Sequence, residues 1–340
     1  MPAVEYLDDL RKASSDDTLA SLLQSAATPF DRPEWWDLLR RHCDLRPLYL
    51  LVRDGPAAAL FPLTGADGQA LTTLANWYTF RWRPLVTPGV DPAPLFEAAA
   101  RALAARCWRV TLPSLPEEDR TATLLTAAFR RCGWITRCAS HDSNHILHIG
   151  GRTYQDYQAG LPGRLRTTLK RKSGHVSCTV HDHFADDIWA VYQEIYQDSW
   201  KPEEGSPDFL RAFARAEGAA GRLRLGLATI DGQPVAAQFW TVEGGTAFIH
   251  KLAHRASART HSPGTVLSAA LFEHVIDSDL VDLIDFGTGD DPYKQDWMED
   301  VRPRYRLEAV RPDRWRTWPY LARGLGRSAL ANLAPRPRPR

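Results

Sequence analysis

The chain has 340 residues, with 42 Lys and Arg against 41 Asp and Glu and a formal charge of +1. With 44% hydrophobic and 24% charged residues it has the make-up of a folded globular protein, about two domains long. A wholly disordered chain is excluded, and DNA or general nucleic-acid binding is disfavoured, because that function takes a clear basic excess. No run approaches the ~20 apolar residues that span a bilayer. Residues 1–9 have neither the basic nor the apolar region of a secretion signal. Cys43, Cys107, Cys132, Cys138 and Cys178 are scattered without a CxxC pair, which points to a reducing cytoplasm.

In chain order, residues 1–30 are polar and read as a leading helix and linker. Asp31 is placed to cap a helix carrying Trp35, Leu38 and Leu39. Strands follow at 48–52 and 57–63, joined at Asp54-Gly55, a short hairpin signal. A third strand is expected over 71–80, a helix over 91–105, a strand over 108–112, a helix over 117–131 and extended chain over 134–149. The second half predicts a helix over 154–172 broken at Gly160-Leu161-Pro162-Gly163, a strand over 176–180, and helices over 185–200 and 207–219. A hairpin over 223–230 and 235–242 turns at Asp231-Gly232. A strand over 246–253, a helix over 263–276, a strand over 281–286, a short helix near 293–298 and a strand near 305–310 complete the order.

Strand, Asp-Gly, strand, strand, helix, strand thus occurs twice. The expected fold is mixed α/β, two copies of one unit covering 31–150 and 151–312, jointed at Gly150-Gly151. Residues 313–340 form a basic aromatic tail ending in Pro-Arg repeats, which should be extended and disordered at its end. The tail either packs back on the domain or rests on an anionic membrane surface, which would make a cytoplasmic protein peripheral to the inner membrane.

The chemistry concentrates between residues 246 and 297. In Arg255-Ala-Ser-Ala-Arg-Thr-His-Ser-Pro-Gly264 a loop leads from a strand into a helix, with Ser262 as N-cap and Pro263 in the first turn. The amides of Gly264 and Thr265, helped by Arg255 and Arg259, would suit a phosphate; an ordinary cap is the alternative. Then comes Asp285-Phe-Gly-Thr-Gly-Asp-Asp-Pro-Tyr-Lys-Gln-Asp-Trp297, a strand end and a Gly-rich turn. Asp285 and Lys294 there could serve acid–base work or charge stabilisation, or form a structural ion pair. Arg164 to Lys172 is a basic run that could meet phosphates or lie solvated. The histidines at 141, 145, 148, 181 and 183 have no Cys at metal spacing, so no metal site is expected.

These stretches resemble the GNAT-fold acyltransferases of the CelD-like type, named for cellulose and exopolysaccharide gene clusters and related to the FemAB transferases. The resemblance rests on Lys170-Arg171-Lys172, Ser199-Trp200-Lys201, Ala236-Ala237-Gln238-Phe239-Trp240, Lys251, Ser262-Pro263-Gly264-Thr265, Asp285 to Gly289 and Tyr293 to Trp297. It covers about residues 150–300, and the first half fits as a degenerate copy in tandem. It implies transfer of an acyl group from acetyl-CoA or another acyl-CoA to an amine, such as an amino sugar or other glycan precursor. Arg255, Arg259, Ser262, Gly264 and Thr265 would hold the cofactor. Lys294 would stabilise charge at the acyl centre, Asp285 would orient or deprotonate the amine, and Trp200, Gln238, Lys251, Tyr293 and Trp297 would meet substrate. The loop departs from the usual GNAT pattern at His261 and Val266. Two other readings stand: an aminoacyl-tRNA donor, as FemAB relatives use, which the near-zero net charge disfavours, and a non-catalytic GNAT-like scaffold.

Overall fold

A computed structural model describes residues 2–13, 16–66, 69–314 and 317. The first half runs β1 (Ala3–Leu7), α1 (Asp17–Gln24), α2 (Pro33–His42), β2 (Pro47–Asp54), β3 (Ala57–Gly65), β4 (Ala70–Thr73) and a two-residue β5 (Leu85–Val86). It continues with α3 (Ala93–Arg106), β6 (Arg109–Leu115), α4 (Thr121–Arg131) and β7 (Ile135–His148). The second runs α5 (Tyr154–Gly160), α6 (Gly163–Lys172), β8 (Ser177–His181), α7 (Asp186–Gln197), α8 (Pro207–Ala219), β9 (Leu223–Ile230) and β10 (Gln233–Glu243). It ends with β11 (Thr246–His254), α9 (Pro263–Glu273), β12 (Leu283–Thr288) and β13 (Asp300–Val310).

The strands form one sheet in the order β1-β2-β3-β4-β6-β13-β7-β12-β11-β10-β9-β8, with β5 beside β3. The order is a mirror: β1, β2, β3, β4 and β6 occupy in one half the places of β8, β9, β10, β11 and β12 in the other. Each half has one parallel pair, β4 with β6 and β11 with β12, and the remaining pairs are antiparallel. The last strands are exchanged. β13 pairs with β6 of the first half, β7 pairs with β12 of the second, and the two lie against each other from Asp300↔Ile146 to Val310↔Ile135. Gly150 and Gly151 form the joint after β7, both at positive φ (61° and 75°), where glycine alone carries no Cβ penalty.

Alternation along the strands divides the core between the two faces of the sheet. Tyr49, Leu51, Ala58 and Leu60 join Leu225, Phe239 and Phe248 in a core shared by both halves, beneath α1, α2, α7 and α8. Trp35 packs edge-on against Phe209 and Phe213 at 5.0 and 4.9 Å, locking α2 to α8. The opposite face has two separate cores. Leu50, Val52, Phe61 and Leu63 pack under α3 and α4, and Ala236, Trp240 and Ile249 pack under α5, α6 and α9.

Several expectations need correction. Residues 1–30 hold more than the expected helix and linker: β1 extends the sheet by pairing with β2, and the helix, α1, is capped by Asp16, which accepts from the amides of Thr18 and Leu19. Asp31 does not cap α2; it is buried and accepts from Arg81 Nη2 at 2.8 Å. The strand expected over 71–80 ends at Thr73, and the helix near 293 is a single 3-10 turn, Pro292–Asp296. The tail beyond 314 lies outside the described residues apart from residue 317. Among the described residues no helix is long and apolar enough to cross a membrane, and no His, Cys, Asp or Glu cluster gathers to hold a metal.

At the exchange, Arg304 of β13 is fully buried. Its guanidinium donates to both oxygens of Glu118 at 2.9–3.0 Å and to Asn144 Oδ1 of β7 at 2.7 Å. Removing one member of a buried charge network leaves the others unpaired, at a cost of about 3–5 kcal/mol. Urea unfolding of Arg304→Met should show a loss of that order, whereas Arg40→Ala, which breaks a surface pair with Asp37, should change stability by less than ~1 kcal/mol.

Candidate functional site

β11 and β12 pair only from Thr246↔Leu283 to Phe248↔Asp285. Beyond that point the strands separate and a cavity of about 180 Å³ opens between them. The separation has a local cause. β12 breaks register with β7 between Asp285 and Thr288, and Gly287 takes φ 66°. A Cβ there would lie 2.9 Å from the Phe80 ring, so glycine lets a side chain of the first half close over the strand end. The cavity is walled by Trp77, Tyr78 and Phe80 of the first half and by β11, β12 and the turn carrying Tyr293 and Lys294. It therefore lies at the junction of the halves.

The matching place in the first half is filled. β4 and β6 pair from Ala70↔Arg109 to Thr72↔Thr111. Trp82 is inserted beside them: its amide donates to Ser114 O at 3.0 Å and its indole Nε1 to Pro62 O at 2.9 Å, with 3% of the residue exposed. One copy of the fold keeps the opening and the other plugs it with an indole.

Lys294 is 4% exposed and lines the open cleft. Its ammonium donates to the carbonyls of Thr288 and Gly289. Burial pulls its pKa down, and Asp291, Asp142, Asp285 and Asp290 oppose that. Lys251 is ion-paired with Glu204 at 3.0 Å and lies 4.6 Å over the Tyr78 ring; burial lowers its pKa too. Tyr293 lines the cleft edge-on to Phe286, and burial raises its phenol. Lys201, named in the sequence only within Ser199-Trp200-Lys201, also lines the cleft. Burial, aided by Lys251, pushes it down to about 8.

Asp285 is 4% exposed but does not line the cleft. Its Oδ1 accepts from Asn144 Nδ2 at 2.6 Å and from the Gly287 amide at 2.8 Å, and Arg302 lies 3.5 Å from Oδ2. The carboxylate is held inside the Arg304–Asn144 network and shapes the turn that opens the cleft. It makes no direct ion pair with Lys294 among the described residues.

Other candidates fall elsewhere. Gln238 is buried, with its amide nitrogen on Gly264 O and Ser268 Oγ and its oxygen accepting from Trp240 Nε1, so it ties β10 to α9. Trp297 is stacked on Phe272 at 4.9 Å in the core. Trp200 is exposed and packs on His254 at 4.3 Å. At the start of α9, Ser262 is left-handed with no side-chain cap bond, and the Thr265 amide donates to Ser262 O. Arg255 is engaged by Asp198 and the Pro234 carbonyl. Arg259 is exposed, and Gly264 sits against His254, which a Cβ would approach to 3.3 Å. The residues that the sequence reading did not single out are Tyr78, Phe80, His250 and Asn144. No local pattern marks them, because each acts through a contact formed only on folding.

His250 also faces the cavity, held by Thr241 Oγ1 at 2.8 Å and ringed by Phe80, Phe213 and Phe239 at 5.0–5.4 Å. Burial pushes its pKa down from 6.5 to about 3. The folded state therefore resists a proton that the unfolded chain takes up. Its contribution is fully present above pH 6.5 and is lost as pH falls toward 3, at about 1.4 kcal/mol per pH unit. Denaturant unfolding at pH 6.5 and 4.5 should show a smaller stability loss in His250→Gln than in the parent chain.

Residues 163–295 match the model of the acetyltransferase (GNAT) domain family. None of the curated proteins matches the chain by sequence. Among solved structures, FemX is 9% identical with a TM-score of 0.62, covering 90% of this chain and 97% of its own. L-PGS from Bacillus licheniformis is 15% identical at 0.57, covering 90% and 93%. A tandem GNAT protein from the clavulanic acid biosynthesis pathway is 14% identical at 0.55, covering 92% and 100%. The FemAB side of the resemblance thus has a structural counterpart, and none of these three is of the exopolysaccharide type. The chain has a tandem GNAT-like fold of mixed α/β type, with its acetyltransferase-type domain in the second half.

Proposed function

We propose that the protein is an acyltransferase that moves an acyl group onto an amine in the cleft between β11 and β12. The observation that carries this reading is Lys294. An ammonium has three N–H donors, and two here are fixed on the Thr288 and Gly289 carbonyls. The third remains for an oxyanion developing on the acyl carbon, and a preorganised donor in a desolvated site is the strongest kind of charge stabilisation. Asp285 acts at one remove, holding Asn144 and the Gly287 amide so that the cleft stays open. Lys251, Tyr293 and Tyr78 shape the acceptor side. The acceptor is a small amine; an amino sugar or glycan precursor in the cytoplasm follows from the CelD-like resemblance alone.

The donor is acyl-CoA or an aminoacyl ester. The start of α9 favours the second more than its sequence suggested, because Arg255 is ion-paired and the Thr265 amide is bonded within the helix. That leaves Arg259 as the cation for a pyrophosphate. Acetyl-CoA at ~100 times its dissociation constant should stabilise the protein by about 2.7 kcal/mol if it is the donor, read as a rise in melting temperature. No rise with acetyl-CoA or longer acyl-CoA would exclude that donor and leave the aminoacyl-tRNA reading.

Lys294→Met should lower kcat ~10²–10³-fold, the usual effect of losing one oxyanion donor, with donor affinity little changed. Acyl-donor hydrolysis serves as the assay until the acceptor is known. Unchanged turnover in a folded Lys294→Met protein would remove the lysine from the chemistry and leave it a structural role.

A further inference from the structure

Three lysines line the cleft, and they are not equivalent. Lys251 is neutralised by Glu204, which also receives the Tyr78 hydroxyl. Lys294 is held by two carbonyls. The Lys201 ammonium has no hydrogen-bond or ion-pair partner among the described residues; it lies 5.8 Å from the centre of the Trp200 ring. The charges facing it come from every wall: Lys251 on β11, Lys294 and Asp291 on the turn after β12, and Glu204 on its own loop. Glu204 is already committed, which leaves Asp291, at the exposed rim, as the carboxylate facing Lys201. A ligand that fills the cleft would strip water from this half-buried side chain, and a desolvated ammonium without a counter-ion is unfavourable. A neutral acyl or pantetheine-like chain entering the cleft would leave it so.

We propose that the cleft takes a substrate carrying an oxyanion, a carboxylate or phosphoryl group, and that Lys201 receives it. This rests on the reading of the cleft as the substrate site and narrows the substrate class. Loop geometry supports the assignment. The Lys201 amide donates to Ser199 Oγ at 3.2 Å, and Ser199 Oγ donates to the Tyr196 carbonyl at 2.6 Å, so the backbone carrying the lysine is pinned to the end of α7. The ammonium is thereby presented rather than left to a flexible loop. Its lowered pKa, about 8, adds a pH signature: an anion that pairs with the protonated form binds well at pH 7 and loses affinity as pH rises through 8. Binding in turn raises that pKa.

The test is calorimetric titration of the full chain with inorganic phosphate and, separately, with acetate, at pH 7 and pH 9. One saturable site is expected at pH 7, weakened up to tenfold at pH 9. Lys201→Met should lose at least tenfold in affinity at pH 7 while keeping its circular dichroism and melting temperature, and Lys201→Arg should keep the affinity and abolish its pH dependence. Tighter binding of phosphate assigns a phosphoryl group, and tighter binding of acetate a carboxylate. No saturable binding of either anion, or the same affinity and pH profile in Lys201→Met, overturns the proposal. Anion binding in a protein without transferase activity would sink the acyltransferase reading alone. Transferase activity without anion binding would sink this one alone.

Discussion

A guanidinium with none of its surface exposed needs partners inside the protein, and Arg304 finds them on a loop and on β7. Glu118 meets it before α4, Asn144 meets it on β7, and Asn144 passes the constraint to Asp285 and the Gly287 carbonyl on β12. Such a network tolerates no slip in register, because moving any strand by one residue would leave a charge buried without a partner. It therefore sets where β12 turns away from β7, and that turn is where the cleft opens. The site depends on a structural charge network more than on any residue that touches the cavity.

Strand exchange gives this network its reach. Had each half kept its own last strand, β13 would close the second half and Asn144 would never stand beside Asp285. With β7 and β13 traded, each half completes the other's sheet, and the join falls directly beside the cleft. The shared aromatic core under α2 and α8 acts in the same direction, since Trp35 packs on Phe209 and Phe213 and Phe80 reaches over Gly287. The first half thus builds one wall of a cleft whose lysines all lie in the second.

The two similar units treat the place beside their parallel strand pair differently. The opening beside a parallel strand pair is inherent in this topology, since β4–β6 and β11–β12 both part after three residue pairs. In the first half Trp82 bridges the gap with its amide and its indole, turning a potential ligand site into core. In the second half the gap is lined by lysines, which cannot pack it shut. The copies differ in what fills the corresponding space.

Much of the architecture was legible in the chain. The Asp-Gly hairpins, the broken helix at Gly160 to Gly163 and the glycine pair at 150–151 carry local conformational preferences strong enough to survive folding. Lys251, Tyr293 and Lys294, which the resemblance marked, line the cleft. Gln238 and Trp297 sit in equally suggestive motifs, yet the same polarity and size serve to tie α9 to the sheet. The edge strand within residues 1–30 was not legible because five residues carry little pattern. What the sequence determined by itself was the repeated unit and the stretch rich in chemistry, both set by short-range preferences. The exchange of β7 and β13, the plug at Trp82 and the placing of Phe80, Asn144 and Lys201 were decided only in the tertiary structure, because each depends on partners far away in the chain and on which buried charges could be paired.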